Sequence, residues 1–159
     1  MKAAVVTVSD RVSCGEAEDR SGDALEALLT ADGYDVERRV VPDEREQIAA
    51  ALRELVPAAR VVLTTGGTGL APRDVTPEAT GDVLDREAPG IAQAIRADSI
   101  AKTPHGLLTR GLAGIVGSTL VVNLPGSTGG VRDGYAVLRP ALEHALRLLA
   151  DEATVHEQT

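Results

Sequence analysis

The sequence predicts an α/β fold in which a mostly parallel central sheet carries helices on both of its faces. Short apolar, β-branched runs alternate along the chain with longer segments in which apolar residues recur at helical spacing. The run RVVLTT at residues 60–65 is apolar without alternation, as in strands that are buried on both faces of a parallel sheet. Strands that alternate with helices in this way are joined by right-handed crossovers, which place the helices over the sheet.

The length and composition fit one domain. The chain has 159 residues, of which 43% are hydrophobic, enough for a single core. We expect this domain to span residues 1–150 and residues 151–159 to form a flexible C-terminal tail.

The first half of the chain is predicted to hold three strands and two helices. The strands are predicted at residues 3–8, 34–41 and 60–65, and the helices at residues 19–31 and 43–56. Gly33 ends the first helix. The second helix is amphipathic, and Asp43 and Glu46 are placed to form its N-terminal capping pair.

The second half is predicted to contain further helices and one more strand. A short helix begins at Pro77 with Thr76 as its N-cap, because proline is favoured at the first helical position. It is followed by a helix at 90–102, a loop at 103–114, a strand at 119–123 and a helix at 130–138. Pro140 is expected to interrupt that helix before a last helix that ends near Ala150.

The segment TTGGTGLAPRDVTPEAT, residues 64–80, has the composition of a phosphate-binding loop. Gly66, Gly67 and Gly69 lack the Cβ atoms that would keep a ligand from the backbone N–H groups. The segment matches neither G-x-G-x-x-G nor the Walker motif. Asp74 would repel a bare phosphate by about 4 kcal/mol at about 4 Å and an effective dielectric constant of about 20, and Mg²⁺ between them would reverse that sign.

Polar residues follow four of the predicted strands. Ser9 and Asp10 follow the first strand, Asp43 the second, the glycine loop the third, and NLPGS, residues 123–127, ends the fourth. Because parallel strands present their carboxyl ends at one edge of a sheet, where α/β proteins bind ligands, these residues predict a single binding site.

The composition excludes several classes of function. A net charge of −8 and an aromatic content of 1% argue against binding to nucleic acid or to anionic membranes. Cys14 is the only cysteine, which rules out an intramolecular disulfide, and three scattered histidines do not favour a zinc site. No segment has the length of a membrane span, so we expect a cytoplasmic protein.

Six motifs resemble the MoaB/Mog family of molybdenum cofactor biosynthesis over residues 6–149: TVSDR, SCGEAEDRSG, VVPDE, the glycine segment, GIVGSTLVVNLPGS and RPALEHALRLL. The resemblance implies a three-layer α/β/α molybdopterin-binding fold that forms homotrimers or hexamers. It also implies a molybdopterin adenylyltransferase, for which ATP and molybdopterin are the substrates and Mg²⁺ is the cofactor.

The resemblance also implies a set of site residues. Asp43 and Asp74 are the expected catalytic residues and Mg²⁺ ligands. The expected substrate-binding residues are Ser9, Asp10, Gly66, Gly67, Thr68, Gly69, Arg110, Ser118, Pro125, Gly126 and Ser127.

Three alternatives remain open at the level of sequence. Residues 125–128 read PGST where many adenylyltransferases of the family read PGNP or PGQP, which favours a non-catalytic molybdopterin binder or carrier of the MoaB type. A nucleotide pyrophosphatase is a third function that this fold accommodates. Asp43 also fits the role of a helix cap without any part in chemistry.

Overall fold

A computed structural model describes the backbone of residues 1–156 and the side chains of residues 1–150, and shows one six-stranded sheet. Its strands are β1 (Lys2–Val8), β2 (Asp35–Val41), β3 (Val61–Thr65), β4 (Arg86–Glu87), β5 (Ala113–Val116) and β6 (Thr119–Leu124). Their order across the sheet is β2-β1-β3-β6-β5-β4. The four strands from β2 to β6 in this order are parallel, while β5 and β4 run antiparallel to their neighbours.

Helices connect the strands and cover both faces of the sheet. They are α1 (Asp10–Ser13), α2 (Arg20–Ala31), α3 (Arg45–Leu55), α4 (Thr76–Gly81), α5 (Pro89–Lys102) and α6 (Thr128–His156), with a 3-10 helix at Pro104–Leu108. Within the part of the chain described here, no helix is both long and apolar enough to cross a bilayer.

Two hydrophobic cores lie on opposite faces of the sheet. Alternate residues of β1 point to different sides, so that Val5 packs with Leu25 of α2 and Tyr135 of α6, whereas Val6 belongs to the cluster around Leu52 of α3. Helices α2, α5 and α6 cover one face, and α3 and α4 cover the other. The predicted three-layer α/β/α fold with a mostly parallel sheet is therefore confirmed.

The antiparallel edge of the sheet was not predicted from the sequence. Strands β5 and β6 form a hairpin in which Val116 pairs with Thr119 around a turn at Gly117 and Ser118. Gly117 has a φ of 57°, a left-handed value that glycine adopts without strain. Because β5 and β4 have only 4 and 2 residues, neither is long enough to show a periodic pattern.

The predicted interruption at Pro140 is wrong, because α6 is one helix from Thr128 to His156. Proline at position 140 cannot donate to the carbonyl of Ala136, but both residues are exposed. Water can therefore hydrate that carbonyl, which makes the break in the hydrogen-bond ladder tolerable. The predicted tail, 151–159, begins within this helix, and its residues 157–159 lie outside the described residues.

Candidate functional site

A cavity of about 420 Å³ lies at the carboxyl ends of the parallel strands. It brings together seven of the predicted site residues, namely Ser9, Asp43, Gly66, Gly67, Asp74, Gly126 and Ser127. The convergence follows from the topology, because β1, β2, β3 and β6 run in the same direction and end at the same edge.

Two glycines shape the loop after β3. Gly66 and Gly67 have φ values of 96° and 67°. A Cβ on Gly66 would collide with the carbonyl oxygen of Val8, and one on Gly67 would collide with the hydroxyl of Thr76 and lie 3.2 Å from Oδ1 of Asp43. Only glycine therefore lets this loop turn left-handed while it touches the ends of the neighbouring strands.

Thr76 holds this turn in place and is not the N-cap that the sequence predicts. The cap residue of α4 is Val75, whose side chain makes no capping hydrogen bond. The Thr76 hydroxyl donates to the carbonyl of Gly66 at 2.9 Å, and its N–H donates to the carbonyl of Gly67 at 3.1 Å. The Thr76 hydroxyl therefore binds the glycine turn instead of capping α4, the role that the local sequence pattern predicts.

Asp43 and Asp10 hold one another through reciprocal hydrogen bonds. The N–H of Asp10 donates to Oδ2 of Asp43 at 2.8 Å, and the N–H of Asp43 donates to Oδ1 of Asp10 at 3.0 Å. The predicted role of Asp43 as the cap of α3 is wrong, since the cap residue is Glu44 and makes no side-chain capping bond. The sequence signal for a cap was a local pattern, whereas the partner of Asp43 is the backbone N–H of Asp10, the first residue of α1.

Arg73 ties the Asp10 carboxylate to a second acidic residue. Its Nε donates to Oδ2 of Asp10 at 2.6 Å, and its Nη2 lies 3.0 Å from both Oδ1 of Asp10 and Oε1 of Glu44. These hydrogen bonds from Arg73 hold the pKa of Asp10 below its ordinary value. Asp10, which was expected to bind substrate, is therefore occupied within the protein and does not line the cavity.

The electrostatics around Asp43 favour a bound cation. Burial raises the pKa of Asp43 above its ordinary value, and the negative charges of Asp10 and Asp74 act in the same direction. The hydrogen bond from the Asp10 N–H opposes this shift. A cation placed beside Asp43 and Asp74 would relieve the repulsion that the two carboxylates exert on one another.

The two cavity carboxylates fit Mg²⁺ by their chemistry. Oδ2 of Asp74 accepts from the N–H of Ala71 at 3.0 Å, and Oδ2 of Asp43 accepts from Asp10. Among the hydrogen bonds of the described residues, Oδ1 of either aspartate accepts none, so each carboxylate keeps one oxygen for a ligand. No group of three potential metal-binding side chains occurs in that part of the chain. Two carboxylates without a third ligand suit Mg²⁺, which typically combines one or two carboxylates with water and substrate phosphates.

Arg110 was expected to reach a substrate phosphate, but its side chain holds the glycine loop. Nε donates to the carbonyl of Gly69 at 2.8 Å, Nη2 donates to the carbonyl of Asp74 at 2.7 Å, and Nη1 pairs with Glu78. The hydrogen bond from Arg110 is the main reason that the pKa of Glu78 is lowered. Arg110 does not line the cavity and acts from behind the loop.

Thr68 and Gly69 also lie behind the cavity surface. Thr68 is buried, and its carbonyl accepts from the N–H of Arg110 at 2.8 Å. A Cβ on Gly69 would lie 2.8 Å from Oδ2 of Asp74, so this glycine makes room for the carboxylate. The two residues shape the loop that presents Asp74.

Ser118 is not at this edge of the sheet, which corrects the prediction that it lines the site. It lies in the β5 and β6 hairpin turn, immediately before β6 begins, whereas the cavity lies where β6 ends. Because the predicted strand at 119–123 ends at the binding edge, residue 118, which precedes it, lies at the other end of the strand. The family resemblance, and not the predicted topology, suggests Ser118.

Pro125 and Ser127 lead into a second cavity of about 400 Å³. Its polar lining comes mainly from α5 and α6 and includes Asp98, Ser99, Lys102 and Asp133. These residues were not identified from the sequence, because they lie on helices and follow no strand. Ser127 lines both cavities, so the two share a wall.

Several polar residues of the first cavity were also missed. Thr65 and Ser21 are buried, with the Thr65 hydroxyl 2.8 Å from the carbonyl of Pro125 and 3.0 Å from the Ser21 hydroxyl. Arg20 lines the cavity from the start of α2. The DRSG sequence at 19–22 was available as a signal, because it opens the helix that follows the first strand-end loop.

Comparison with known proteins gives a consistent family. Residues 4–144 match a family model described as a probable molybdopterin binding domain. The chain is 41% identical over 159 residues to the molybdenum cofactor synthesis protein cinnamon of Drosophila melanogaster. The aligned residues make up 98% of this chain and 26% of that protein. The chain thus spans about a quarter of the length of that relative.

A shorter relative and a solved structure match over most of their lengths. The molybdopterin adenylyltransferase of Haemophilus influenzae is 41% identical over 138 residues, which are 84% of this chain and 70% of that enzyme. A solved structure of MogA superposes with a TM-score of 0.90 at 42% identity, covering 94% of this chain and 99% of that one.

Proposed function

Because this chain belongs to the probable molybdopterin binding domain family, we propose that it acts in molybdenum cofactor biosynthesis as a molybdopterin adenylyltransferase that uses Mg-ATP. An oxygen of the terminal phosphate of molybdopterin attacks the α-phosphorus of ATP. The bond from that phosphorus to the oxygen bridging to the β-phosphate breaks, and adenylyl-molybdopterin and pyrophosphate form. The observation that carries the proposal is the presence of Asp43 and Asp74 beside the left-handed glycine turn in one cavity.

The residues of the first cavity suit the phosphates of ATP. Asp43 and Asp74 would hold Mg²⁺, which when bound neutralises phosphate charge and helps to align an in-line displacement. The left-handed backbone at Gly66 and Gly67 leaves space without side chains for a phosphate to approach. Phosphoryl transfer of this kind depends more on positioning and charge neutralisation than on covalent help from the protein.

Arg20 takes the phosphate-binding role that Arg110 cannot fill. Among the described residues that line the first cavity, it is the only lysine or arginine. Its side chain is 80% exposed and meets Glu18 at 3.5 Å, a loose surface pair that costs little to rearrange. The guanidinium is therefore free to turn toward an anionic ligand in the cavity.

The second cavity supplies a separate place for the pterin. Lys102 is paired there with Asp98 at 2.9 Å and with Asp133 at 3.2 Å, so one N–H of its ammonium group, the free carboxylate oxygens and the hydroxyls offer the donors and acceptors that a polar heterocycle requires. Because Ser127 lines both cavities, a pterin in one would be a direct neighbour of ATP in the other. Two adjoining cavities suit a reaction between two bound substrates.

The PGST sequence does not weaken the case for catalysis. The Ser127 hydroxyl accepts from the N–H of Gly130 at 3.0 Å, as the N-cap of α6 would, and Thr128 is the first residue of that helix. In a PGNP sequence, asparagine would cap the helix and proline would occupy its first position, both of which are favoured. The two sequences are therefore alternative ways to start one helix.

The proposal is tested by measuring pyrophosphate release from Mg-ATP with and without molybdopterin. We expect release that requires molybdopterin and that falls at least about a hundredfold, or 2.7 kcal/mol in the barrier, in Asp74→Asn and in Asp43→Asn. Asp35→Asn is the matched control, since Asp35 is an exposed aspartate at the opposite end of β2. Circular dichroism would confirm that all variants are folded.

Other outcomes assign a different function. Molybdopterin binding without pyrophosphate release would identify the non-catalytic binder or carrier. ATP hydrolysis in the absence of molybdopterin would identify a nucleotide pyrophosphatase. Full activity in Asp74→Asn would contradict the assigned role of the carboxylates. The homotrimer or hexamer stays a prediction that sedimentation velocity would decide.

A further inference from the structure

Arg73 joins the loops that follow three neighbouring strands. It belongs to the loop after β3, and its guanidinium binds Asp10, the first residue of α1 after β1, and Glu44, which follows β2. These strands are adjacent in the sheet, in the order β2-β1-β3. A single side chain thus connects the ends of half of the sheet at the edge where the cavity lies.

The two ends of this connection are next to the two cavity carboxylates. Arg73 directly precedes Asp74, and Glu44 directly follows Asp43. Asp10, the other partner of Arg73, exchanges hydrogen bonds of 2.8 and 3.0 Å with Asp43. Asp43 is therefore held on both sides by partners of Arg73, while Asp74 is the next residue after Arg73 in the chain.

We propose that Arg73 is a positioning residue that sets the placement of Asp43 relative to Asp74, so that both carboxylates face one divalent cation. The inference rests on the proposed metal site. Arg73 lies outside the lining of the cavity and acts through its two acidic partners. Its planar guanidinium makes two parallel bonds to Asp10, a geometry that lysine cannot reproduce.

The sign of the effect on metal affinity separates positioning from simple electrostatics. Arg73 is a positive charge near a site for a positive ion, so Coulomb repulsion alone predicts that its removal strengthens metal binding. Loss of positioning predicts the opposite, because the carboxylates would no longer converge. Arg73→Lys keeps the charge and removes the paired geometry, so any weakening in this variant reports position alone.

The experiment is a titration of the full chain with Mn²⁺, followed by the electron paramagnetic resonance signal of the free ion, without nucleotide. We expect Arg73→Lys and Arg73→Ala to weaken Mn²⁺ binding at least fivefold. Arg45→Ala is the matched control, because Arg45 makes a similar two-bond pair with Asp82 at 2.7 and 2.8 Å. That pair connects α3 to the end of α4, so its loss should leave Mn²⁺ affinity within twofold of wild type.

The outcomes distinguish this inference from the proposed function. Mn²⁺ binding that is lost in Asp74→Asn but retained in Arg73→Lys, or strengthened in Arg73→Ala, would overturn the role of Arg73 and leave the metal site intact. Mn²⁺ binding that is unchanged in Asp74→Asn would overturn the metal site itself. If Arg73→Ala fails to fold, the charge-conserving Arg73→Lys still decides, because positioning predicts weaker Mn²⁺ binding in this variant and electrostatics alone predicts no change.

Discussion

Removal of the Arg110 side chain should destabilise the protein, because this side chain holds the glycine loop. An arginine that only bound a substrate phosphate could be removed with little effect on folding. The guanidinium donates to two carbonyls of the glycine loop, at 2.8 and 2.7 Å, and pairs with Glu78. In Arg110→Ala the two carbonyls lose a charged donor and Glu78 loses its ion-pair partner. The Oε2 atom of Glu78 is already buried without a hydrogen bond, so the loss leaves that carboxylate poorly compensated.

The expected loss can be worked from these contacts. A hydrogen bond from a charged group contributes about 1.5–3 kcal/mol, and two such bonds to carbonyls would contribute about 3–6 kcal/mol if they were fully buried. The Arg110 side chain is 35% exposed, so water can replace part of the lost interaction. We therefore expect Arg110→Ala to lower the free energy of unfolding by about 2–4 kcal/mol.

Urea denaturation followed by circular dichroism measures this change, with the m-value checking that unfolding stays two-state. Arg45→Ala is the control, since its ion pair with Asp82 lies on the surface and its loss should leave stability unchanged. An unchanged free energy of unfolding in Arg110→Ala, together with a raised KM for ATP or molybdopterin, would refute the structural role. It would restore the substrate-binding role expected from the sequence.

Three further predictions concern the loop, the polar core and acid stability. Gly67→Ala should lower the free energy of unfolding by about 1–2 kcal/mol because of the positive φ, and by about 1–3 kcal/mol more because of the collision with Thr76. Urea denaturation measures this loss, and an equally stable variant would contradict the left-handed turn. Asn123→Ala should lower the free energy of unfolding by about 3 kcal/mol, because it removes a buried amide that bonds two threonine hydroxyls and a backbone N–H. Calorimetry measures this loss, and a value below about 1 kcal/mol would contradict the network. Hydrogen bonds from Arg139, and then from a buried tyrosine hydroxyl, lower the pKa of Asp32, so its contribution to stability is present above its unfolded pKa and is lost as the pH falls through its folded pKa. The free energy of unfolding should therefore drop below about pH 4, and Arg139→Gln should flatten that dependence.

The parallel part of the sheet could be predicted because its signal is local. The residues of β1, β3 and β6 are almost all buried, and most residues of each strand are apolar or β-branched. The antiparallel edge lacks such a signal, since β5 and β4 have only 4 and 2 residues, and β4 is a strand only through its pairing with β5, far along the chain. Pro140 shows the converse case, in which a strong local rule gives way because the carbonyl it leaves unpaired lies on the exposed side of a long helix.

The location of the site could be predicted from the sequence, but the roles of its side chains could not. Residues after parallel strands must share one edge of the sheet, and this alone brings Asp43 and Asp74 into one cavity. Which atom each side chain binds depends on competitors that are far apart in the chain. Local rules see a helix start after Asp43, but the N–H that binds its carboxylate belongs to a residue 33 positions away. Arg110 likewise finds its carbonyl acceptors 41 and 36 positions away, in a loop that must curve around its guanidinium. A charged residue at the edge of a predicted site therefore identifies the site more securely than it identifies the role of that charge. An arginine there binds substrate only if the loops around it leave its donors free, which in this cavity favours Arg20 over Arg110.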